Sequence, residues 1–263
     1  MKVTVIPLNF EWAEDVLTIM TSEEIVPGTE LHGYRFGGVL GVGAFSTVYL
    51  ATMESTGLDV AIKVISKSSF ADPLHCRMVE NELTIHRSIS HPFIAEFYET
   101  FETEDSQFIV LEYVQNGSVL SYVNLYGPLP EEFARNLFIE LISALSYLHN
   151  EGILHRDIKA ENVLIDEGHH CKLVDFGLSQ KSKSSNNRSG SPAYAPPETI
   201  KGESPTIASD VWSCGVFLFA AITGQLPFVA SDTPKLMQKI LYSDPYYPHA
   251  MPPLLRDLLQ KIL

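Results

Sequence analysis

One short stretch constrains this chain more than any other feature. It reads His-Arg-Asp-Ile-Lys-Ala-Glu-Asn over residues 155–162, and an Asp-Phe-Gly triplet follows at 175–177. Asp157 can accept a proton, whereas Asn162 and Asp175 carry the hard oxygen ligands that Mg²⁺ prefers. Three proton- or metal-handling side chains thus fall within 21 residues, from 155 to 175. A chance match to both motifs at this spacing is improbable, so the pair predicts a catalytic site.

A glycine-rich segment lies earlier in the chain and reads Gly-Val-Gly-Ala-Phe-Ser-Thr-Val over residues 41–48. Glycines allow backbone N–H groups to approach phosphate oxygens closely. The third glycine of a G-x-G-x-x-G pattern is replaced here by Ser46. Taken alone, the segment is therefore equally compatible with an ordinary glycine-rich hairpin.

A Val-Ala-Ile-Lys run at residues 60–63 follows the glycine-rich segment. A lysine within an apolar strand needs a partner, because an unpaired buried charge is costly. Glu82, on the helix predicted to follow, is the candidate partner of Lys63. The alternative is that Lys63 is a surface lysine on an edge strand.

The first half of the chain is predicted to be rich in strands. Residues 1–33 are predicted to be a weakly ordered extension, with a docking element as the alternative. A helix is predicted over residues 74–90. Short β-prone runs separated by turn residues predict strands at 34–41, 47–53, 60–66, 97–103 and 107–113.

The second half is predicted to be mainly helical. A long helix opens at Pro130, and an apolar residue recurs every three or four positions along it, which predicts one buried stripe. Gly152 is placed to end this helix. The apolar run at 211–222 is shorter than the roughly 20 residues needed to span a bilayer, so it predicts a buried core helix. The stripe consists of Phe133, Leu137, Leu141, Leu145 and Leu148.

The composition excludes several classes of partner and site. The net charge of −14 argues against nucleic acid or an anionic membrane as the main partner, since both need a basic surface. The three cysteines, Cys76, Cys171 and Cys214, are far apart, which predicts neither a disulfide framework nor a zinc site. Acidic residues near the N-terminus interrupt any secretory signal. A cytoplasmic location is expected, with the nucleus as the alternative.

Together these motifs resemble the catalytic core of the eukaryotic protein kinases, and the resemblance covers about residues 34–263. It implies an α+β, two-lobed protein kinase fold that follows the extension at 1–33. The small β-rich N-lobe would comprise residues 34–114 and the larger helical C-lobe residues 115–263. The C-lobe is expected to be truncated relative to the family. A cleft between two lobes is where a small ligand would bind.

The resemblance also implies that ATP and Mg²⁺ are used. Lys63 would hold the α- and β-phosphates of ATP, and Asp157, assisted by Lys159, would accept the proton of the substrate hydroxyl. Asn162 and Asp175 would hold Mg²⁺. The implied ATP-binding residues are Leu40, Gly41, Val42, Gly43, Ala44, Phe45, Ser46, Val48, Ala61, Lys63, Glu82, Leu111, Glu112, Val114 and Leu164.

The type of kinase is indicated by residues near the catalytic aspartate. Lys159, two residues after Asp157, and the Gly-Ser-Pro-Ala-Tyr segment at 190–194 are similar to those of serine/threonine kinases. Further motifs resemble the calcium/calmodulin-dependent-kinase-like group, and within it the AMP-activated-kinase-like enzymes. The implied partners are proteins with target serines or threonines and an upstream kinase.

Regulation is where the sequence departs from the resemblance. Arg156 is of the type that binds an activation-loop phosphate. The matching loop position is Asn187, which cannot be phosphorylated. The sequence leaves two hypotheses open: Ser184, Ser185 or Ser189 substitutes as the phosphate acceptor, or no phosphate is needed.

Other departures concern stability and specificity. Acidic residues that read basic substrate side chains are replaced by Ser118 and Ala220, which predicts at most a modest preference for arginine. His86 replaces a bulky apolar residue and is expected to be tolerated. The family's arginine partner of Glu198 is missing, and an unmatched buried charge costs ~3–5 kcal/mol.

Two alternatives to a protein kinase follow from these departures. The chain could be a truncated, kinase-like ATP-binding scaffold with little catalysis, or a small-molecule phosphotransferase. The presence of Lys63, Glu82, Asp157, Asn162 and Asp175 argues against the scaffold, and the segment 178–198 fits a peptide-docking surface better than a small-molecule site.

Overall fold

A computed structural model describes residues 25–43, 45–181 and 190–263, and these residues form two compact units. The smaller unit contains the described residues up to 91 together with 95–115, and the larger unit contains 92–94 and 116–263. Residues 92–94 group with the larger unit because Ile94 forms a parallel bridge with Leu173. Most of the predicted extension at 1–33 lies outside the described residues.

The smaller unit is built on one six-stranded sheet with the strand order β1-β2-β3-β4-β6-β5, in which every neighbouring pair is antiparallel. The predicted strands are present, each within two residues of its expected bounds. The strands are β1 (Glu30–Leu31), β2 (Tyr34–Val42), β3 (Ser46–Met53), β4 (Asp59–Ser66), β5 (Phe97–Glu102) and β6 (Ser106–Glu112).

The two faces of this sheet have different neighbours, because side chains alternate along each strand. One face carries a core of Tyr34, Phe36, Tyr49, Ala51, Val60, Ile62, Phe108 and Val110. On the other face, Ile65 and Ile109 pack against Val79 of helix α1 (Pro73–His86). The sheet thereby holds α1 at a fixed position beside β4.

Helix α1 begins where the sequence predicted but ends four residues earlier than the predicted residue 90. Asp72 caps it by accepting a hydrogen bond from the backbone N–H of Leu74 at 2.9 Å, and Pro73 occupies its first position. The early end has a local cause. Ser88 donates both its hydroxyl and its backbone N–H to the carbonyl oxygen of Ile85, at 2.8 and 2.9 Å, and this turn replaces the helical pattern.

The larger unit is mainly helical and carries two small two-stranded sheets. Its long helices are α3 and α5, and the predicted stripe on α3 is buried except for Phe133, which is half-buried. Its elements are α2 (Val119–Tyr126), α3 (Glu131–Asn150), β7 (Ile153–Leu154), β8 (Val163–Ile165), β9 (Cys171–Leu173), β10 (Gln180–Lys181), α4 (Pro197–Ile200), α5 (Ile207–Thr223), α6 (Thr233–Tyr242) and α7 (Pro253–Ile262).

Helix α5 is the predicted core helix, and nearly all of its residues from Ser209 to Ala221 are buried. It ends at Gly224, which adopts a left-handed φ of 69° that a side chain would disfavour. Within the described ranges, no helix is both long and apolar enough to cross a membrane.

Gly215 allows α5 and α7 to pack closely, and this contact generates a stability prediction. A Cβ atom at residue 215 would lie 2.5 Å from Cγ2 of Ile262. We expect Gly215→Ala to lower the free energy of unfolding by up to about 2 kcal/mol, the difference between an overpacking cost of ~1–3 kcal/mol and a helix-propensity gain of ~1 kcal/mol. Chemical denaturation measures the change.

The control for this prediction uses the partner side chain. In an Ile262→Ala background the 2.5 Å contact is removed, whereas Cβ of residue 262 at 3.3 Å and Cδ2 of Leu263 at 3.1 Å remain, so Gly215→Ala should be less destabilising than in the wild type. Equal destabilisation in both backgrounds would contradict the proposed contact.

Candidate active site

Five of the residues predicted to bind the nucleotide share one face of the six-stranded sheet. Val48 pairs with Lys63 across β3 and β4, and Ala61 pairs with Leu111 across β4 and β6. Gly41 pairs with Val48 on the hairpin between β2 and β3. Because directly opposed residues of antiparallel strands point to the same side, the register places these five residues on the face opposite the Phe36 core.

The glycine-rich hairpin leaves open space on this face. A Cβ atom at Gly41 would have no atom within 4 Å, and the backbone N–H of Gly43 closes the turn by donating to the carbonyl oxygen of Ser46 at 2.7 Å. Leu40, Val42 and Phe45 are exposed. Ala44 lies outside the described residues, so its predicted role stays a prediction.

Lys63 and Glu82 form the ion pair that the sequence predicted. The Lys63 Nζ atom lies 2.7 and 2.8 Å from the two carboxylate oxygens of Glu82. Their side chains are only 16% and 5% exposed, which rules out the alternative of a surface lysine on an edge strand. The pair connects strand β4 to helix α1 and places a buried cation on the open face.

The end of β6 carries backbone groups that could contact an adenine ring, but one of them is already hydrogen-bonded. The N–H of Glu112 donates to the carbonyl oxygen of Glu96 at 2.9 Å, so an adenine contact by Glu112 would use its carbonyl oxygen. Val114 is buried, and Leu164, on β8, is half-buried in the larger unit.

In the larger unit, Asp157 is the centre of a hydrogen-bonded cluster. Its Oδ2 atom accepts from Lys159 Nζ at 2.6 Å and from Asn162 Nδ2 at 2.9 Å, and Asn162 Nδ2 also lies 2.9 Å from the Asp157 carbonyl oxygen. Burial works against the charge of Lys159, but the adjacent Asp157 carboxylate prevails and raises the lysine pKa above its ordinary value. Two side chains thus fix the orientation of a 7% exposed carboxylate.

Asn162 and Asp175 are brought together by the β8–β9 hairpin. Val163 pairs with Leu173, and the backbone N–H of Val174 donates to the carbonyl oxygen of Asn162 at 3.0 Å. Asp175 has a left-handed φ of 65°, which is a strained conformation for a residue with a side chain. Strain of this kind clusters at functional sites, so it adds to the reasons for assigning Asp175 a role.

The oxygens of these two residues fit a hard cation. The Asn162 amide nitrogen is used by Asp157, which leaves its amide oxygen for a metal, and Asp175 offers a carboxylate. Among the described residues, no group of three or more His, Cys, Asp or Glu side chains could hold a metal. A cation here would therefore take its other ligands from phosphate oxygens and water, as Mg²⁺ commonly does.

Asp210 of α5 holds the backbone in front of Asp157. It is 1% exposed and accepts from the N–H groups of His155 and Arg156 at 2.9 and 2.8 Å. Its carboxylate also lies 2.8 Å from Nε2 of His149 at the end of α3. His149 was not singled out from the sequence, because one histidine in the last turn of a helix carries no distinguishing pattern.

The family of this chain follows from comparison with known proteins. Residues 34–263 match the protein kinase domain family. The chain belongs to the protein kinase family. This match confirms the predicted two-lobed kinase fold, and the chain's relatives confirm the predicted resemblance to serine/threonine kinases of the calcium/calmodulin-dependent-kinase-like group. Membership of this family implies the use of ATP and a divalent metal in general.

Three relatives illustrate the similarity. The chain is 39% identical to the SNF1-related protein kinase catalytic subunit alpha KIN12 of Arabidopsis thaliana over 89% of this chain and 48% of the relative. It is 37% identical to CBL-interacting serine/threonine-protein kinase 16 of Arabidopsis thaliana, over 88% of this chain and 52% of the relative. It is 35% identical to mouse 3-phosphoinositide-dependent protein kinase 1, over 88% of this chain and 42% of the relative. The kinase chain spans about half or less of the length of these relatives.

The departures from the family are accommodated locally in this kinase. Glu198 is half-buried and accepts a hydrogen bond from the Ser209 hydroxyl at 2.6 Å, so the predicted cost of a fully buried, unmatched charge is too high. His86 is 2% exposed and its Nε2 atom lies 2.7 Å from the carbonyl oxygen of Ala95. The polar residue is thus tolerated through a backbone hydrogen bond.

Of the predicted regulatory residues, only Arg156 lies in the part of the chain that the structure describes. Arg156 has a left-handed φ of 69°, and its guanidinium donates a hydrogen bond to the side-chain oxygen of Gln180. Ser184, Ser185, Ser189 and Asn187 lie outside the described residues. Gln180, the acceptor for the Arg156 guanidinium, was not singled out from the sequence.

His155 is a packed residue of the kinase core. It is fully buried, with its ring 5.1 Å from that of Phe176. Its Nδ1 atom accepts from the N–H of Asp157 at 3.3 Å, and Nε2 lies 3.2 Å from the carbonyl oxygen of Val174, to which it donates. This arrangement requires the neutral ring, and burial lowers the His155 pKa below its ordinary value.

A pH dependence follows from the neutral His155. Because its pKa is lower in the folded than in the unfolded protein, the stability linked to it is fully present above the unfolded pKa, about 6.5, and is lost as the pH falls toward the lower folded pKa. We expect His155→Phe to lower the free energy of unfolding at pH 7.5. The difference in free energy of unfolding between wild type and variant should be smaller at pH 5.5, shrinking by up to about 1.4 kcal/mol per pH unit below the unfolded pKa.

Denaturant titrations at both pH values measure this difference. His249→Phe is the matched control, because His249 is exposed. The same change with pH in both variants would contradict the assignment to His155.

Proposed function

We propose that this kinase transfers the γ-phosphate of ATP to serine or threonine hydroxyls of protein substrates, with Mg²⁺ held by Asn162 and Asp175. The observation that carries the proposal is the double anchoring of the Asp157 carboxylate by Lys159 and Asn162, at 2.6 and 2.9 Å. An oriented, largely buried carboxylate beside hard oxygen ligands suits a reaction that depends on positioning and charge neutralisation.

In the proposed reaction, Asp157 accepts the proton of the substrate hydroxyl as that oxygen bonds to the γ-phosphorus. The bond from the γ-phosphorus to the oxygen that bridges to the β-phosphate breaks, and ADP leaves. Lys159 offsets negative charge beside Asp157. Because the pKa of Lys159 is raised, the lysine stays protonated at neutral pH. Bound Mg²⁺ would supply charge neutralisation at the phosphate oxygens.

The nucleotide side of the proposal rests on the open sheet face of the smaller unit. Lys63 is a fixed cation, since Glu82 binds it through both carboxylate oxygens. Val48, Ala61 and Leu111 line the same face by register and offer apolar contact to a base. The absence of a side chain at Gly41 leaves room for phosphate oxygens.

A substitution at Asp157 tests the function. We expect Asp157→Asn to lower kcat for peptide phosphorylation by about 100- to 10,000-fold, the range for loss of a general base, while the Kd for ATP stays within about twofold. Radiometric transfer assays and a thermal-shift titration with Mg²⁺ and ATP measure the two quantities. Glu167→Gln, an exposed acid-to-amide change, is the matched control.

Lys63→Met separates binding from catalysis in the same assays, because it removes the cation on the nucleotide face and should raise the Kd for ATP. ATP binding with equal phosphorylation by the parent and Asp157→Asn would favour the kinase-like scaffold instead.

A further inference from the structure

The segment that follows Phe176 makes two side-chain contacts with the loop that carries Asp157. Ser179 is 1% exposed, and its hydroxyl donates a hydrogen bond to the carbonyl oxygen of His155 at 3.2 Å. The next residue, Gln180, accepts a hydrogen bond from the Arg156 guanidinium through Oε1. Two successive residues of one segment thus contact two successive residues of the other.

The backbone of Gln180 is fixed by a short sheet. Strand β10 pairs with β7 in antiparallel register, with Gln180 opposite Leu154 and Lys181 opposite Ile153. Strand β7 ends at Leu154, two residues before Arg156, so the acceptor lies on one strand of the ladder and the donor lies just beyond the end of the other. The Gln180 backbone is therefore fixed by the chain itself, and its side chain lies within hydrogen-bonding distance of Arg156.

Arg156 needs such support because its backbone is strained. Its φ of 69° is a conformation that residues with side chains rarely adopt and that the surroundings must enforce. Asp210 holds its main-chain N–H at 2.8 Å, and Gln180 holds its side chain. Asp157 is the next residue, so any relaxation of Arg156 would move the base.

The chemistry of the acceptor bears on regulation. A guanidinium binds an anionic acceptor such as a phosphate strongly, but a neutral amide oxygen also satisfies one of its N–H groups. In this protein the neutral acceptor is part of the chain and is placed by β10. Arg156 thus has a permanent acceptor that needs no modification.

We propose that Gln180 is a positioning residue that holds Arg156, and through it Asp157, so that phosphoryl transfer does not require a phosphate on the segment 182–189. This inference rests on the proposed function and specifies how the same site is regulated. It selects the second of the two hypotheses that the sequence left open.

The first experiment removes the acceptor. In the full chain treated with phosphatase, Gln180→Met keeps the side-chain length without the oxygen, and we expect kcat to fall by about tenfold, the size expected for a hydrogen bond to a charged group, with the KM for ATP within about twofold. Gln180→Glu restores an acceptor and should restore kcat. Lys181→Met, on the exposed neighbour, is the matched control. Wild-type kcat in Gln180→Met would overturn the proposal.

A second readout does not depend on turnover. Hydrogen exchange at the backbone amides of residues 155–158 should be faster in Gln180→Met than in the wild type or Lys181→Met, because the loop loses a side-chain anchor. Unchanged exchange would overturn the positioning role. If Gln180→Met exchanges faster but the wild type shows no Asp157-dependent phosphoryl transfer, the positioning contact is real and the proposed function is wrong.

The last experiment tests independence from phosphate. The triple variant Ser184→Ala, Ser185→Ala, Ser189→Ala, expressed and treated with phosphatase, should keep a kcat within about twofold of the untreated wild type, since a loss of one charge-assisted contact would cost about tenfold. A tenfold or greater loss on phosphatase treatment or in this variant would overturn the proposal.

Discussion

The larger unit depends on the buried carboxylate of Asp210. A single side chain on α5 accepts hydrogen bonds from the backbone N–H groups of His155 and Arg156 and from the ring of His149 on α3. A carboxylate that is 1% exposed is tolerated only because these donors replace its hydration. Asp210 thereby fixes the backbone at His155 and Arg156, on which the side-chain contacts of Asp157 with Lys159 and Asn162 are built.

Much of the fold and of the candidate site was predictable, because the determining signals are local. The β-prone run of β4 and the apolar repeat on α3 favour a strand and a helix respectively, and both predicted elements are present. The Lys63–Glu82 pair was predictable because a lysine in an apolar strand needs a counter-charge. Motif spacing predicted the neighbourhood of Asp157, Asn162 and Asp175.

What could not be predicted has two sources: local hydrogen bonds that compete with a regular pattern, and contacts between segments that are distant in sequence. The end of α1 at His86 is set by the Ser88–Ile85 turn, which competes with a helix pattern that would otherwise continue. The roles of His149 and Gln180 depend on the packing of α3 against α5 and of β10 against β7, for which no periodic signal exists. The hydrogen bond from Ser209 to Glu198 likewise arises from the local geometry of the start of α5.

Strand β4 also determines which changes in chain length the smaller unit could accept. Val60 and Ile62 fill the core, whereas Ala61 and Lys63 lie on the open face, and both sets are paired residue by residue with β3 and β6. Inserting or deleting one residue here would exchange the two faces, burying the lysine among aromatic rings and exposing valine and isoleucine. A change of two residues would restore the faces but would move Lys63 one pleat, roughly 7 Å, away from Glu82. Length variation in this unit is therefore expected in the turns, such as that between Met53 and Asp59, and not within the strand.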